Sequence, residues 1–141
     1  MFDQGEFISQ DYEEAVNWWR KAAEQGDATA QSNLGAMYAN GHGVQQDYTE
    51  AAKWYLLAAN QGLAGAQAQF ACVYQLGDGL PKDYVLAYMW FNLAAAEGDK
   101  AAAEGREAIA KEMSQEQIAE AQRLSREWYS AHKANESVDE R

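Results

Sequence analysis

Asp47 to Gly62 reads DYTEAAKWYLLAANQG. An acidic residue and an aromatic open the stretch, alanines and a Trp–Tyr pair follow at helical spacing, and a glycine closes it. The same pattern stands upstream at Asp11 to Gly26 (DYEEAVNWWRKAAEQG) and downstream at Asp83 to Gly98 (DYVLAYMWFNLAAAEG). The interval is constant, 47 − 11 = 83 − 47 = 36 residues. Self-similarity at a fixed period of this length is the mark of a stacked array of supersecondary units.

Each copy reads as a helix. Asp11, Asp47 and Asp83 are N-caps, whose carboxylates can accept from the orphan N–H groups of the first turn. Glu14 and Glu50, three residues on, complete capping boxes, whereas Leu86 takes that place in the third copy. Ala15, Trp18/Trp19 and Ala22/Ala23 fall on one side at i, i+3/i+4 and i+7/i+8. Gly26, Gly62 and Gly98 stand where a helix ends in a left-handed residue. At their shared spacing Trp18, Trp54 and Trp90 read as core rather than as an aromatic binding strip.

A second segment recurs between these helices. Ala28 to Tyr38 (ATAQSNLGAMY) matches Ala64 to Tyr74 (AGAQAQFACVY). The pattern Ala-x-x-Leu/Phe-small-x-x-Tyr is again helical, and the small residue, Gly35 or Ala71, lets a partner helix approach closely. Each of these helices runs into a glycine-punctuated loop, Gly41-His42-Gly43-Val44 or Gly77-Asp78-Gly79-Leu80, where glycine supplies backbone angles barred to other residues. Val44 and Leu80 read as inward anchors. One unit is therefore helix, loop, helix, tight turn.

The chain starts out of phase. Met1 to Gly5 aligns with Met37 to Gly41, which gives the first unit a loop at Gly5, its second helix, and a stub of its first. Either the chain is an excerpt of a longer protein or that helix is uncovered. The second case would expose some of Phe2, Ile8, Trp18 and Trp19, a patch that implies a partner and allows homo-oligomers through the N-terminal helix. The last third leaves the repeat. Lys100 to Lys111 reads as one more first helix. Ser114-Gln115-Glu116-Gln117 is a capping box opening a longer helix whose apolar stripe is Ile118, Ala121, Leu124/Ser125 and Trp128/Tyr129. A terminal unit with a polar outer face keeps an array soluble. The resulting division is a partial repeat 1–27, full repeats 28–63 and 64–99, a capping helix pair 100–134 and a flexible tail 135–141.

Bulk properties bound the function. At 141 residues the chain is one domain by length. Its formal net charge is −11, and residues 1–98 hold 12 acidic against 4 basic residues. That balance repels phosphate backbones and anionic lipid, so neither nucleic acid nor membrane insertion is indicated. No apolar run approaches the roughly 20 residues of a membrane span. Met1-Phe2-Asp3-Gln4 lacks the basic and apolar regions of a signal peptide, so the chain as it stands reads as cytoplasmic; removal of a signal would make it periplasmic or secreted. A single cysteine, Cys72, excludes a disulfide scaffold.

With the DY…A..W(Y/F)..AA..G helix, the A..LG..Y helix and the G-x-G-V loop at a 36-residue period, the chain resembles the Sel-1-like repeat family, relatives of the tetratricopeptide repeats; the second loop departs slightly, with Leu80-Pro81 where Val44-Gln45 stands. The resemblance covers about residues 1–113. It implies an all-α fold, a right-handed α-solenoid of antiparallel helix pairs closed by a C-terminal capping helix. It also implies a protein-interaction scaffold, as in bacterial adaptors of signalling and envelope assembly, with no cofactor. By the tetratricopeptide analogy the first helix of each pair lines a concave groove. The groove residues would then be Thr29, Ser32, Asn33, Ala36 and Asn40, then Gln69, Cys72 and Gln75, then Glu104, Ala108 and Lys111. Asn and Gln there would hydrogen-bond the backbone of an extended peptide.

Catalytic chemistry is not signalled. His42 falls on a loop where the other copy has Asp78, which reads as solvated. His132 lies near the C-terminal end. No His/Cys/carboxylate group has metal spacing. Cys72 has no base beside it and reads as a small packing or groove residue. Two alternatives to a non-enzymatic scaffold are a hydrolase of cell-wall or β-lactam compounds, an activity of some cysteine-rich relatives, and a self-associating structural module.

Overall fold

The computed structural model describes the backbone of residues 4–139 and the side chains of residues 11–132. Seven helices and no strand occur among the described residues. They are α1 (Gln4–Glu24), α2 (Ala28–Asn40), α3 (Tyr48–Asn60), α4 (Ala64–Leu76), α5 (Tyr84–Ala96), α6 (Lys100–Ala110) and α7 (Gln115–Asp139). From α1 to α6 each helix packs on the next, and α7 packs chiefly on α5. The result is an all-α solenoid, as the repeat predicts.

The helix ends follow from their caps. Asp47 and Asp83 accept from the N–H groups of Glu50 and Leu86, each at 3.1 Å. Asp27 and Asp99 do the same for Ala30 and Ala102 at 2.9 Å. The Ser114 box is reciprocal: its N–H donates to Gln117 Oε1 at 2.9 Å, and Gln117 N–H donates to Ser114 Oγ at 3.1 Å. The Asp47 box is only half made. Asp47 N–H donates instead to Tyr38 O (2.9 Å), and Glu50 turns to Lys53 (3.7 Å). Gly62 and Gly98 hold φ of 91° and 97°.

Small residues set the spacing of the helices, and aromatics fill what remains. Ala51, Ala58, Ala59, Ala66, Ala71, Ala87 and Ala94 are all buried. Phe70 meets Tyr74 and Trp90 edge-on, with centroids 5.1 and 5.4 Å apart, and Trp90 meets Trp128 the same way at 5.7 Å. That string ties α4, α5 and α7 into one core, and edge-to-face pairs are the favoured geometry for ring quadrupoles. Val44 and Leu80 are partly buried against the two core clusters, as anchors should be.

Four expectations need correction. The first unit has no loop at Gly5, and Asp11 is no cap, because α1 runs unbroken from Gln4 to Glu24. The reason is in the residues: Phe7 stands where Gly43 and Gly79 hold φ of 77° and 92°. A bulky side chain resists that conformation, so the stretch stays helical. The three tryptophans are not equivalent either. Trp90 is 5% exposed, Trp54 is half-buried, and Trp18 is 73% exposed. His42 is not a solvated loop residue, since its ring stacks on Tyr12 with centroids 4.3 Å apart. Lastly, α7 continues through residues 135–139, because no Gly or Pro stops it after Ser114. Of the patch expected at the N-terminal helix, Trp18 is exposed and Trp19 half-buried. Phe2 and Ile8 lie outside the described side chains.

Candidate functional site

The G-x-G loops are seated on the preceding unit. A Cβ at Gly43 would stand 2.4 Å from the carbonyl oxygen of Tyr12, and one at Gly79 would stand 2.4 Å from that of Tyr48. This contact fixes where the far end of each first helix lies relative to the unit before it. A second close approach lies midway along. A Cβ at Gly35 would meet the Tyr55 ring at 2.9 Å, so glycine is what lets α3 bring that ring against α2. Gly105 serves Phe91, the residue 36 positions after Tyr55, in the same way at 2.9 Å.

Two adjoining hollows result on the face shared by α2 and α4. The larger, about 330 Å³, is bordered by Ser32, Asn33, Ala36, Ala39, Asn40, Tyr55, Gly65 and Gln69. The smaller, about 110 Å³, is bordered by Ala39, Tyr48, Ala51, Tyr55, Gln69, Cys72, Val73, Leu76 and Asp78. Ala39, Tyr55 and Gln69 border both, so the two adjoin as halves of one furrow. The first is amide- and hydroxyl-rich. The second is mostly carbon, with Leu76 66% and Tyr48 43% exposed at its edge.

Of the residues singled out in the sequence, the structure brings Ser32, Asn33, Asn40, Gln69 and Cys72 together around this furrow. Thr29 on α2 and Gln75 on α4 border neither hollow. Glu104 and Lys111 are exposed, at and just beyond α6, and also border neither. Tyr55, Tyr48, Leu76 and Asp78 were not anticipated. Tyr55 carried the signal of a core aromatic, and it is one, at 5% exposure, while its edge still forms the furrow. Leu76 and Asp78 were legible as differences, because Asn40 and His42 stand 36 residues earlier.

Apart from the Asp78 carboxylate, no acidic side chain borders the furrow. Burial, and secondarily the nearby Cys72, pushes the Tyr55 hydroxyl up to about 12. Burial also raises the Cys72 thiol above its usual range. Both groups are therefore neutral at physiological pH. No basic residue borders either hollow. Among the described residues no group of three or more His, Cys, Asp or Glu could hold a metal ion. No described helix is long and apolar enough to cross a membrane.

Comparison with known proteins agrees with this architecture. No curated protein matches the chain. Among solved structures, the chain is similar to a protective antigen of uropathogenic Escherichia coli strains that displays an SLR fold. The TM-score is 0.81 at 38% identity, over 84% of this chain and 26% of the antigen. It is also similar to a Sel1 repeat protein from Oxalobacter formigenes, with TM-score 0.64 at 41% identity over 67% of this chain and 39% of the other. The chain thus spans between about a quarter and two-fifths of the length of these proteins. A family model of the Sel1 repeat matches residues 1–27, 28–63 and 64–99. The period, the loop seats and these matches converge: the chain belongs to the Sel1 repeat family.

Proposed function

We propose that the chain is a non-catalytic scaffold that holds an extended segment of a partner protein in the furrow between α2 and α4. Proteins built of Sel1 repeats are in general protein-interaction scaffolds. The observation that carries the finer reading is the adjacency of the two hollows, which share Ala39, Tyr55 and Gln69, with Asn33 on the larger. Amide side chains at the edge of an open furrow offer donors and acceptors to a peptide backbone, which is how an extended ligand replaces its lost water. The chemistry of Cys72 favours binding over hydrolysis. A nucleophilic thiol needs its pKa lowered, and burial here raises it.

The test is the double substitution Asn33→Ala/Gln69→Ala. Neither side chain is buried, so the melting temperature should stay within a degree or two. Partner recovery from the native host, measured by affinity capture and mass spectrometry, should fall relative to the unaltered chain. Recovery that is unchanged in a folded double variant rules out the furrow. Turnover of β-lactam or peptidoglycan substrates, abolished by a single furrow substitution, would favour a hydrolase instead. Self-association has one observation on its side, the exposure of Trp18. Light scattering across concentration tests it, and a monomer throughout would dismiss it.

A further inference from the structure

The smaller hollow differs from the same place in the preceding unit. There, the His42 ring stacks on Tyr12 at 4.3 Å and covers it. Thirty-six residues later the pair is Asp78 and Tyr48. A carboxylate has no ring to lay on the tyrosine, and Tyr48 stays 43% exposed beside an open space of about 110 Å³. Asn40 likewise gives way to Leu76, which is 66% exposed at the edge of that space. The differences at these two positions replace a ring-stacked polar corner with an apolar one beside open space, carrying a single carboxylate.

We infer that this hollow takes one aliphatic side chain of an extended peptide, and that Asp78 takes a lysine or arginine next to it in that peptide. The inference rests on the reading of the furrow as a peptide site. Size selects the first residue. An open space of about 110 Å³ holds a valine or leucine side chain. Chemistry agrees, since Ala39, Ala51, Val73, Leu76 and the tyrosine rings present carbon to it. Charge selects the neighbour. Among the described residues Asp78 makes no ion pair, and no basic side chain borders the furrow. With 12 acidic and 4 basic residues in 1–98, an anionic peptide is repelled before it arrives.

The experiment is selection of a random dodecapeptide display library on the full chain. Selected peptides are then made with a fluorescent label, and their Kd is measured by polarisation. The expected winners carry Val, Leu or Ile beside Lys or Arg. Asp78→Asn should weaken them about fivefold, in line with a partly exposed charge pair, and Asp78→Lys should weaken them further. Both effects should shrink as salt is raised. Leu76→Ala, at an exposed position that the fold does not need, should also weaken them. Winners that depend on Asn33 and Gln69 but lack this signature, or that ignore Asp78→Lys and Leu76→Ala, overturn the inference and leave the furrow reading standing. A library yielding no binder dependent on Asn33 and Gln69 overturns both.

Discussion

Gly79 shows how much of this fold rests on single atoms. Its φ of 92° is in the left-handed region, and a Cβ would stand 2.4 Å from the Tyr48 carbonyl oxygen. Neither the angle nor the space suits another residue, and the obstacle is backbone that cannot swing away. Gly79→Ala should therefore cost about 2–4 kcal/mol, combining strain and overpacking. Gly62→Ala, with a similar angle but open space around it, should cost about 1–2 kcal/mol. Urea denaturation of the two variants measures the difference. Tyr55 gives a pH prediction. Its hydroxyl ionises near 12 in the folded chain and near 10.0 when exposed. Below pH 10 it is neutral in both states and contributes nothing to pH dependence. Between about 10 and 12 the unfolded chain loses its proton first, so this group makes stability fall as pH rises through that window. Tyr55→Phe should flatten that part of a stability–pH curve, with the other tyrosines still contributing their own slopes. The glycines were legible in the sequence as backbone demands. What they touch was not, because Tyr48 and Tyr12 lie about 30 residues away in the chain. His42 was misread for the same reason: its loop is seated on Tyr12, and nothing local announces that.

Between elements, the turns are held by glutamines. Gln61 Nε2 donates to Gly26 O and to Gln31 Oε1, both at 2.9 Å, while Gln31 Nε2 donates to Ala23 O at 3.2 Å. One unit later Gln67 Nε2 donates to Ala59 O at 3.2 Å, but Gln67 Oε1 is buried and has no partner. The residue equivalent to Gln61 is Glu97, and a carboxylate has no N–H to give. Glu97→Gln should complete the ladder and raise stability by about 1 kcal/mol, the usual gain when a buried acceptor is satisfied. Chemical denaturation checks it, and an unchanged midpoint would mean that water already serves Gln67. Helix identity and order were legible in the sequence, because the caps at Asp47, Asp83 and Ser114 and the period of buried alanines agree; the caps at Asp27 and Asp99 came only with the structure. The first helix was the exception. Aligning Gly5 with Gly41 weighed one glycine and passed over Phe7, which occupies the place of the second. The furrow was legible in part. Asn33 and Gln69 came from the tetratricopeptide analogy, whereas Tyr55 reaches it from α3, and only Gly35 allows it to.

For the molecule as a whole, the tryptophans measure how well each unit is covered. Trp90→Ala should cost about 3–5 kcal/mol, because it empties a site enclosed by Phe70 and Trp128. Trp18→Ala should change stability by less than about 0.5 kcal/mol, as surface positions do. Thermal melts of both variants test the contrast, and a large loss at Trp18 would mean that something covers it in solution. After α6, α7 lays Ala121 and Ser125 on α5, with Ser125 Oγ within 3.4 Å of Met89 O on α5 while also donating to Ala121 O in its own helix at 2.9 Å. Arg123 bridges Glu120 and Glu127 on its exposed side. Among the described residues α5 is thus packed on by α4, α6 and α7, whereas α1 packs on α2 with Trp18 exposed, and an array of this kind gains most of its stability from neighbours. That asymmetry gives its motions a direction. Amide protons of residues 11–24 should trade with deuterium first, those of α2 and α3 next, and those of α5 last, so that the solenoid opens like a zip with a single slider.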